Sequence, residues 1–152
     1  MANRCSRHTG SCNTMGKNDM AHILIVDDDA YIAKLLSVRL ERSGHSTIWA
    51  SDGNQGIARA RAHAPDLILL DVMLPGMDGF AVLKHLKQNP STRPIPVMML
   101  TAQTDGNSVH KGIDCGAEAY LTKPFDFLDL IQRMERCLTR HAALALQSPF
   151  DG

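Results

Sequence analysis

Short runs of consecutive apolar residues recur along the chain, at residues 23–26, 67–70 and 97–100. Runs of this length between turn-forming residues are typical of strands that are buried on both faces of a parallel sheet. The stretches between them place apolar residues at helical spacing, and the stretch from about 126 to 140 is the most regular. The pattern predicts strands at about 21–26, 46–50, 67–70, 96–100 and 118–122, and helices at about 30–43, 54–63, 79–88, 105–115 and 126–140, the last of which can continue through 142–146.

The alternation of strands and helices indicates an α/β fold. Five strand–helix repeats favour parallel βαβ units with right-handed crossovers, stacked as a three-layer sandwich. A length of 152 residues fits one domain with a sizeable core. Residues 1–19 contain almost nothing apolar, so we expect a disordered extension there, the domain at 20–140 and a short tail at 141–152.

Charge and hydropathy exclude several classes of protein. The formal net charge is zero, so no general field attracts nucleic acid or an anionic membrane. No apolar run approaches the roughly 18 residues of a membrane span, and no apolar stretch follows the first basic residues as in a secretory signal. We therefore expect a cytoplasmic protein whose four cysteines are free thiols. Cys5, His8 and Cys12 have a spacing that fits no common zinc site.

Polar residues suited to phosphate or metal chemistry follow the predicted strands. Asp27 and Asp28 follow the first strand, Asp71 the third, Thr101 the fourth and Lys123 the fifth. Because the carboxyl ends of parallel strands meet at one edge of a sheet, we expect these side chains to lie together. Clustered carboxylates repel one another unless a cation is present, and Mg²⁺ with oxygen ligands meets that need. Taken singly, Asp71 also fits a solvated turn position and Lys123 an ordinary surface lysine.

Residues 21–138 resemble the receiver domain of two-component response regulators. Each matching segment is short, but their order and spacing together are specific to that family. The resemblance implies a flavodoxin-like (βα)5 fold with a parallel sheet of strand order 2-1-3-4-5. The segments that carry it are 25–29 (IVDDD), 71–79 (DVMLPGMDG), 101–102 (TA), 116–117 (GA) and 120–125 (YLTKPF).

The resemblance implies that Asp71 is the phosphoacceptor. It also implies that Asp28, the Asp71 carboxylate and the backbone carbonyl of Met73 bind Mg²⁺ directly, and that Asp27 assists through a water. An aspartate carboxylate can act as a nucleophile and form an acyl phosphate, which agrees with this assignment. Asp29 is interpreted as the N-cap of the first helix, where a side-chain oxygen accepts backbone N–H groups.

Three further residues complete the implied machinery. Lys123 and Thr101 would contact the phosphoryl group, and in the family the peptide bond from this lysine to Pro124 is usually cis. Thr101 and Tyr120 would then change position together and alter the face made by the fourth helix, the fifth strand and the last helix. An alternative for Tyr120 is a half-buried strand aromatic without a switching role.

The resemblance also implies the partners. The phosphoryl donor would be a histidine kinase or a histidine phosphotransfer protein, and the switched face would control a downstream protein target. We expect no direct contact with nucleic acid or membrane, and either a monomer or a phosphorylation-dependent homodimer. The chain would catalyse only its own phosphorylation and dephosphorylation.

Other functions compete with this interpretation. A pseudo-receiver would bind partners without phosphorylation, but the complete set of acidic, hydroxyl and lysine residues argues against it. An aspartyl-phosphate hydrolase of the haloacid dehalogenase type would use Asp27 as nucleophile with Asp29, and would leave Asp71 unexplained. A flavin carrier on the same fold would need a loop after the first strand that attracts phosphate, whereas this loop is acidic.

Overall fold

The described part of the chain contains nine helices and strands. The structure is a computed structural model, which describes residues 20–101 and 116–147, with side chains through residue 141. The elements in order are β1 (His22–Val26), α1 (Ala30–Arg42), β2 (Ser46–Ala50), α2 (Gly53–His63), β3 (Leu67–Asp71), α3 (Gly79–Gln88), β4 (Val97–Thr101), β5 (Ala119–Thr122) and α4 (Phe127–Gln147).

The five strands form one parallel sheet of order β2-β1-β3-β4-β5. This arrangement confirms the fold predicted from the resemblance. Strands β1, β3 and β4 lie in the interior, and nearly every residue in them is buried. The edge strands β2 and β5 are more exposed. Continuous apolar runs are therefore confined to the central strands, as the two-sided burial of a parallel sheet requires.

Two hydrophobic clusters lie on opposite faces of the sheet. One joins Ile23 and Ile25 of β1 to Leu36 of α1 and Met134 of α4. The other cluster joins the alternate residues of the central strands to α2 and α3, including Leu83. Because successive side chains of a strand point to opposite faces, each central strand contributes to both clusters. The result is the predicted three-layer sandwich, with α1 and α4 on one side and α2 and α3 on the other.

The ends of the elements differ slightly from the sequence prediction. β4 runs through Thr101 rather than stopping before it, since Thr101 pairs with Thr122 of β5. The last helix begins at Phe127 and ends at Gln147, one residue past the predicted extension through 142–146. Arg140 of that helix binds Glu118, with 3.1 Å between Nη1 and Oε1, and this contact ties the helix to the start of β5. The predicted helix at 105–115 and the N-terminal segment at 1–19 lie outside the described residues.

Across residues 20–101 and 116–147, no helix has the length and apolar character needed to cross a membrane. Within the same ranges, Cys137 is a free, buried thiol. The other three cysteines, and with them the candidate zinc residues Cys5, His8 and Cys12, fall outside the described part of the chain.

Candidate functional site

Three carboxylates meet at the carboxyl edge of the sheet. Asp27 and Asp28 follow β1, and Asp71 is the last residue of the neighbouring β3. Their side chains each offer an oxygen such that all three oxygens lie within 4.8 Å of one another. Asp27 and Asp71 are buried, whereas Asp28 is exposed. The cluster thus has a closed inner side and one carboxylate on the solvent side.

The loop after β3 turns sharply back on itself next to Asp71. The Gly79 N–H donates to the Val72 carbonyl at 2.7 Å. A Cβ on Gly79 would lie 2.3 Å from the backbone oxygen of Asp71 and 2.7 Å from the Cα of Val72. Asp78 then caps α3 by accepting the Ala81 N–H at 2.9 Å. Only a residue without a side chain permits this approach, so Gly79 fixes the path of the chain that carries Asp71.

The turn after β1 is organised by its own aspartates. Asp29 caps α1 by accepting the N–H of Tyr31 at 3.0 Å, which confirms the predicted N-cap. Asp27 Oδ1 accepts the N–H of Asp29 at 2.9 Å. On the outer side of the turn, the Trp49 indole N–H donates to the Asp27 backbone carbonyl at 2.8 Å. Trp49 is not among the residues predicted from the sequence, because nothing in a strand pattern indicates a bond to the neighbouring turn.

Lys123 supplies the positive charge of the site. Its Nζ lies 3.2 Å from Asp27 Oδ2 and 3.4 Å from Asp71 Oδ1. The Lys123 backbone N–H donates to the carbonyl of Thr101 at 2.6 Å, and the bond from Lys123 to Pro124 is cis. Lys123 therefore bridges the two buried carboxylates from the end of β5.

The surroundings of Asp71 make its ionisation unfavourable. Burial, and next the charge of Asp27, raise the pKa of Asp71 to about 6. The Lys123 ammonium and the N–H of Met73, which donates to Asp71 Oδ1 at 3.4 Å, oppose this rise in pKa. One ammonium does not offset three clustered carboxylates, so the site favours an additional positive charge.

The residues at this edge fit a hard divalent cation. Carboxylate oxygens are the ligands that Mg²⁺ prefers, and an exposed carboxylate beside two buried ones leaves a side open to water, which Mg²⁺ retains when bound. The described residues that could hold it are Asp27, Asp28 and Asp71, together with the backbone carbonyl of Met73 implied by the resemblance.

The structure brings most of the predicted site residues to one edge of the sheet. Asp27, Asp28, Asp71 and Lys123 form the cluster, and Thr101 is fully buried at the adjacent end of β4. The Met73 side chain is 61% exposed, and its backbone N–H is the group that contacts Asp71.

Tyr120 lies apart from the carboxylates, on the edge strand β5. It pairs with Met99 of β4 and packs, half-buried, against the hydrophobic cluster beneath α2 and α3. The predicted helix that would complete the switching face, at 105–115, falls outside the described residues. The switching role of Tyr120 stays a prediction.

Comparisons with known proteins agree with this geometry. A family model, the response regulator receiver domain, matches residues 23–135. The chain is 46% identical over 121 residues to the DNA-binding dual master transcriptional regulator RpaA of Synechocystis. This match covers 80% of this chain and 50% of RpaA. It is 42% identical over 126 residues to the alkaline phosphatase synthesis transcriptional regulatory protein PhoP of Bacillus subtilis. That match covers 83% of this chain and 52% of PhoP. The chain therefore spans about half the length of these relatives.

A solved structure gives the same result. A CheY-like response regulator receiver domain protein from Methanospirillum hungatei superposes with a TM-score of 0.76 at 28% identity. The match covers 82% of this chain and 98% of that one. The family match over residues 23–135 includes the three aspartates and Lys123.

Proposed function

This chain belongs to the response regulator receiver family of two-component systems, and on that premise we propose that it accepts a phosphoryl group on Asp71. The donor is a phosphohistidine of a histidine kinase or of a histidine phosphotransfer protein, and the reaction takes place in the cytoplasm. The observation that carries the proposal is the bridge from Lys123 to Asp71 and Asp27 within a cluster of three carboxylates.

The contacts of the two buried carboxylates favour Asp71 over Asp27 as the nucleophile. Asp27 has both oxygens engaged, one by the Asp29 N–H and the other by Lys123. Asp71 has longer contacts, at 3.4 Å from both Lys123 and the Met73 N–H, and both involve Oδ1. Among the described residues nothing binds its Oδ2, so that oxygen can attack. This argues against the hydrolase alternative, in which Asp27 would be the nucleophile.

In the proposed transfer, an ionised Asp71 oxygen forms a bond to the phosphorus while the bond from phosphorus to the histidine nitrogen breaks. The imidazole of the donor leaves and takes up a proton. Lys123 and Thr101 stabilise charge on the phosphoryl oxygens, which is the main contribution a protein makes to this reaction. Loss of the group occurs when water attacks the phosphorus and the bond to Asp71 breaks, which releases inorganic phosphate and restores the carboxylate.

The proposed cofactor is Mg²⁺, held by Asp28, Asp71 and the Met73 carbonyl, with Asp27 beside them. When bound, it offsets the charge of the carboxylates and of the phosphoryl oxygens. The cluster of three oxygens within 4.8 Å supports this assignment.

Phosphorylation would act as a switch through added charge. A phosphoryl group brings about −1.5 to −2 charge and strong acceptor oxygens into a site beside the buried Thr101. We propose that Thr101 and Tyr120 respond together and shift the population between two states of the face around β5 and α4. That face would bind a downstream protein, or a second copy of the chain after phosphorylation. Transcriptional regulation is the named role of relatives of which this chain spans about half the length.

Intact-protein mass spectrometry after incubation with acetyl phosphate tests the proposal. The protein should gain one phosphate in the presence of Mg²⁺ and none in EDTA, and Asp71→Asn should gain none. Asp29→Asn is a matched control, since asparagine also caps a helix and leaves the proposed acceptor in place. An adduct that persists in Asp71→Asn would favour the hydrolase alternative. No adduct, together with no binding of beryllofluoride, would favour a pseudo-receiver.

A further inference from the structure

Trp49 makes a contact with the candidate site that the proposed function does not use. It is the single tryptophan of the chain and lies on the edge strand β2, opposite Ile25 of β1. Its indole Nε1 donates a hydrogen bond of 2.8 Å to the backbone carbonyl of Asp27. The side chain is still 42% exposed, so its position is not explained by full burial in the core.

The acceptor of this bond belongs to the peptide unit that joins Asp27 to Asp28. Because a peptide unit is planar, fixing the direction of the Asp27 carbonyl also fixes the direction of the Asp28 N–H and the path to the Asp28 Cα. The indole therefore orients the backbone from which the Asp28 carboxylate extends. It does so through a backbone carbonyl rather than through a carboxylate.

Asp28 is the carboxylate that most needs such support. Asp27 is held by Lys123, by the Asp29 N–H and by its own N–H, which donates to Ala50 at 3.1 Å. Asp28 lies in a bend and is exposed, and the described residues make no hydrogen bond to its carboxylate. Its position depends on the backbone of the turn, and within the described ranges the Trp49 bond is the one side-chain hydrogen bond to the peptide preceding it.

We propose that Trp49 is a positioning residue that orients Asp28 for the divalent cation. This inference rests on the proposed function, because it assumes that the carboxylate cluster binds Mg²⁺. Residues that orient metal ligands typically change metal affinity by 10- to 100-fold when they are altered. Trp49 acts through a backbone carbonyl rather than on a ligand side chain, so the expected loss is about tenfold, at the lower end of that range.

The test is a Mg²⁺ titration of the full chain by calorimetry, with backbone ¹⁵N–¹H spectra to locate the response. Two variants remove the donor in different ways. Trp49→Phe removes the indole, and benzothienylalanine at position 49 keeps the shape of the ring but has sulfur in place of the N–H. Both should bind Mg²⁺ about tenfold more weakly than the natural chain. The single indole N–H resonance of the natural chain should shift as Mg²⁺ is added.

Thr47→Val is the matched control. Thr47 lies two residues earlier on β2, on the same face, and bonds to Ser37 and Glu41 away from the site. Its loss should lower stability while Mg²⁺ affinity stays unchanged. Urea unfolding of every variant in EDTA separates a loss of stability from a loss of Mg²⁺ affinity. If Trp49 had only a structural role, its substitution would change the unfolding midpoint and leave Mg²⁺ affinity unchanged.

The phosphorylation assay gives a second readout. Trp49→Phe should need about tenfold more Mg²⁺ for half-maximal phosphorylation and reach the same rate at saturating Mg²⁺. If the natural chain binds Mg²⁺ and the benzothienylalanine variant binds it equally well, the role of Trp49 is refuted and the proposed function stands. If the natural chain binds no Mg²⁺ and takes up no phosphate, the proposed function and the role of Trp49 are both refuted.

Discussion

Lys123 Nζ lies 3.4 Å from Asp71 Oδ1, and the same ammonium lies 3.2 Å from Asp27 Oδ2. One cation thus bridges two buried carboxylates that come from neighbouring central strands. The Lys123 side chain is 23% exposed, whereas those of Asp27 and Asp71 are 1% and 6% exposed. The bridge is therefore mostly desolvated, and removing its cation leaves two negative charges close together.

Lys123→Met should destabilise the protein in EDTA by about 2 kcal/mol, because it leaves buried carboxylates without their partner. Added Mg²⁺ should restore much of this loss, since it supplies positive charge at the same place. Urea unfolding with and without Mg²⁺ measures the loss of stability and its recovery. Lys84→Met, at an exposed position of α3, should show neither effect. An equal loss in EDTA and in Mg²⁺ would contradict the proposed metal site.

Asp71→Asn should have the opposite effect on stability. The pKa of Asp71 is raised from 3.8 to about 6, so the folded state holds this proton more tightly than the unfolded state. Stability falls as pH rises from about 4 to about 6, and then stays level. The variant lacks this fall, and should be more stable than the natural chain by about 1–3 kcal/mol above pH 6 in EDTA.

Urea unfolding of Asp71→Asn from pH 4 to 8 checks this expectation. Asp52→Asn serves as the control, because Asp52 caps α2 away from the site and asparagine caps a helix equally well. A gain in stability for Asp71→Asn that is already complete at pH 4 would show that charge is not the cause.

Much of this site follows from the sequence, but its internal contacts do not. The apolar runs and the polar residues after them indicated which strand ends would meet, and the resemblance gave the strand order. The bridge from Lys123 to both Asp27 and Asp71 depends on side-chain conformations and on distances of a few ångströms, which strand periodicity does not contain. The same holds for Trp49, whose bond requires the register that sets Trp49 opposite Ile25.

The end of α4 follows from two features of the sequence. The apolar repeat of α4 weakens at about residue 140, yet the helix continues to Gln147, in agreement with the predicted extension through 142–146. Helix continuation after the last core contact depends on backbone hydrogen bonds and on local propensity, and residues 141–147 include several alanines and leucines that favour it. Apolar periodicity therefore located the packed part of the helix, and the alanine- and leucine-rich stretch after it indicated the extension.

Gly79→Ala should destabilise the protein severely, by about 3 kcal/mol or more, because its Cβ would meet the backbone of Asp71 at 2.3 Å. Backbone atoms cannot move aside as a flexible side chain can. Gly76→Ala in the same loop is the matched comparison. Its φ is +80° and nothing lies within 4 Å of the added Cβ, so it should cost only about 1 kcal/mol of backbone strain. Equal losses in urea unfolding would refute the steric argument.

His45 should make stability depend on pH at the opposite edge of the sheet. It is buried, its Nδ1 accepts the Ala21 N–H at 3.2 Å, and burial lowers its pKa despite the nearby charges of Glu135 and Asp66. The unfolded chain therefore binds this proton more readily than the folded one. The resulting loss of stability begins as pH falls below about 6.5 and grows by at most about 1.4 kcal/mol per pH unit.

His45→Asn should flatten this part of the stability curve, since an amide oxygen can accept the Ala21 N–H without taking up a proton. Urea unfolding between pH 5 and 8 provides the measurement. All variants are made in the Asp71→Asn protein, so that the titration of Asp71 does not contribute to the pH dependence. His85→Asn, at an exposed position of α3, is the control and should leave the slope unchanged. A slope that persists in His45→Asn would assign the acid sensitivity to another group.

The site draws on residues from position 27 to position 123, and the strand that precedes Lys123 is the last of the sheet. During synthesis, Asp71, the proposed acceptor, leaves the ribosome well before β5 can join the sheet. A nascent or prematurely terminated chain would therefore display the acceptor carboxylate without the ammonium that bridges it. Under the proposed mechanism, a chain that stops before position 123 would lack the bridging ammonium and would take up phosphate poorly.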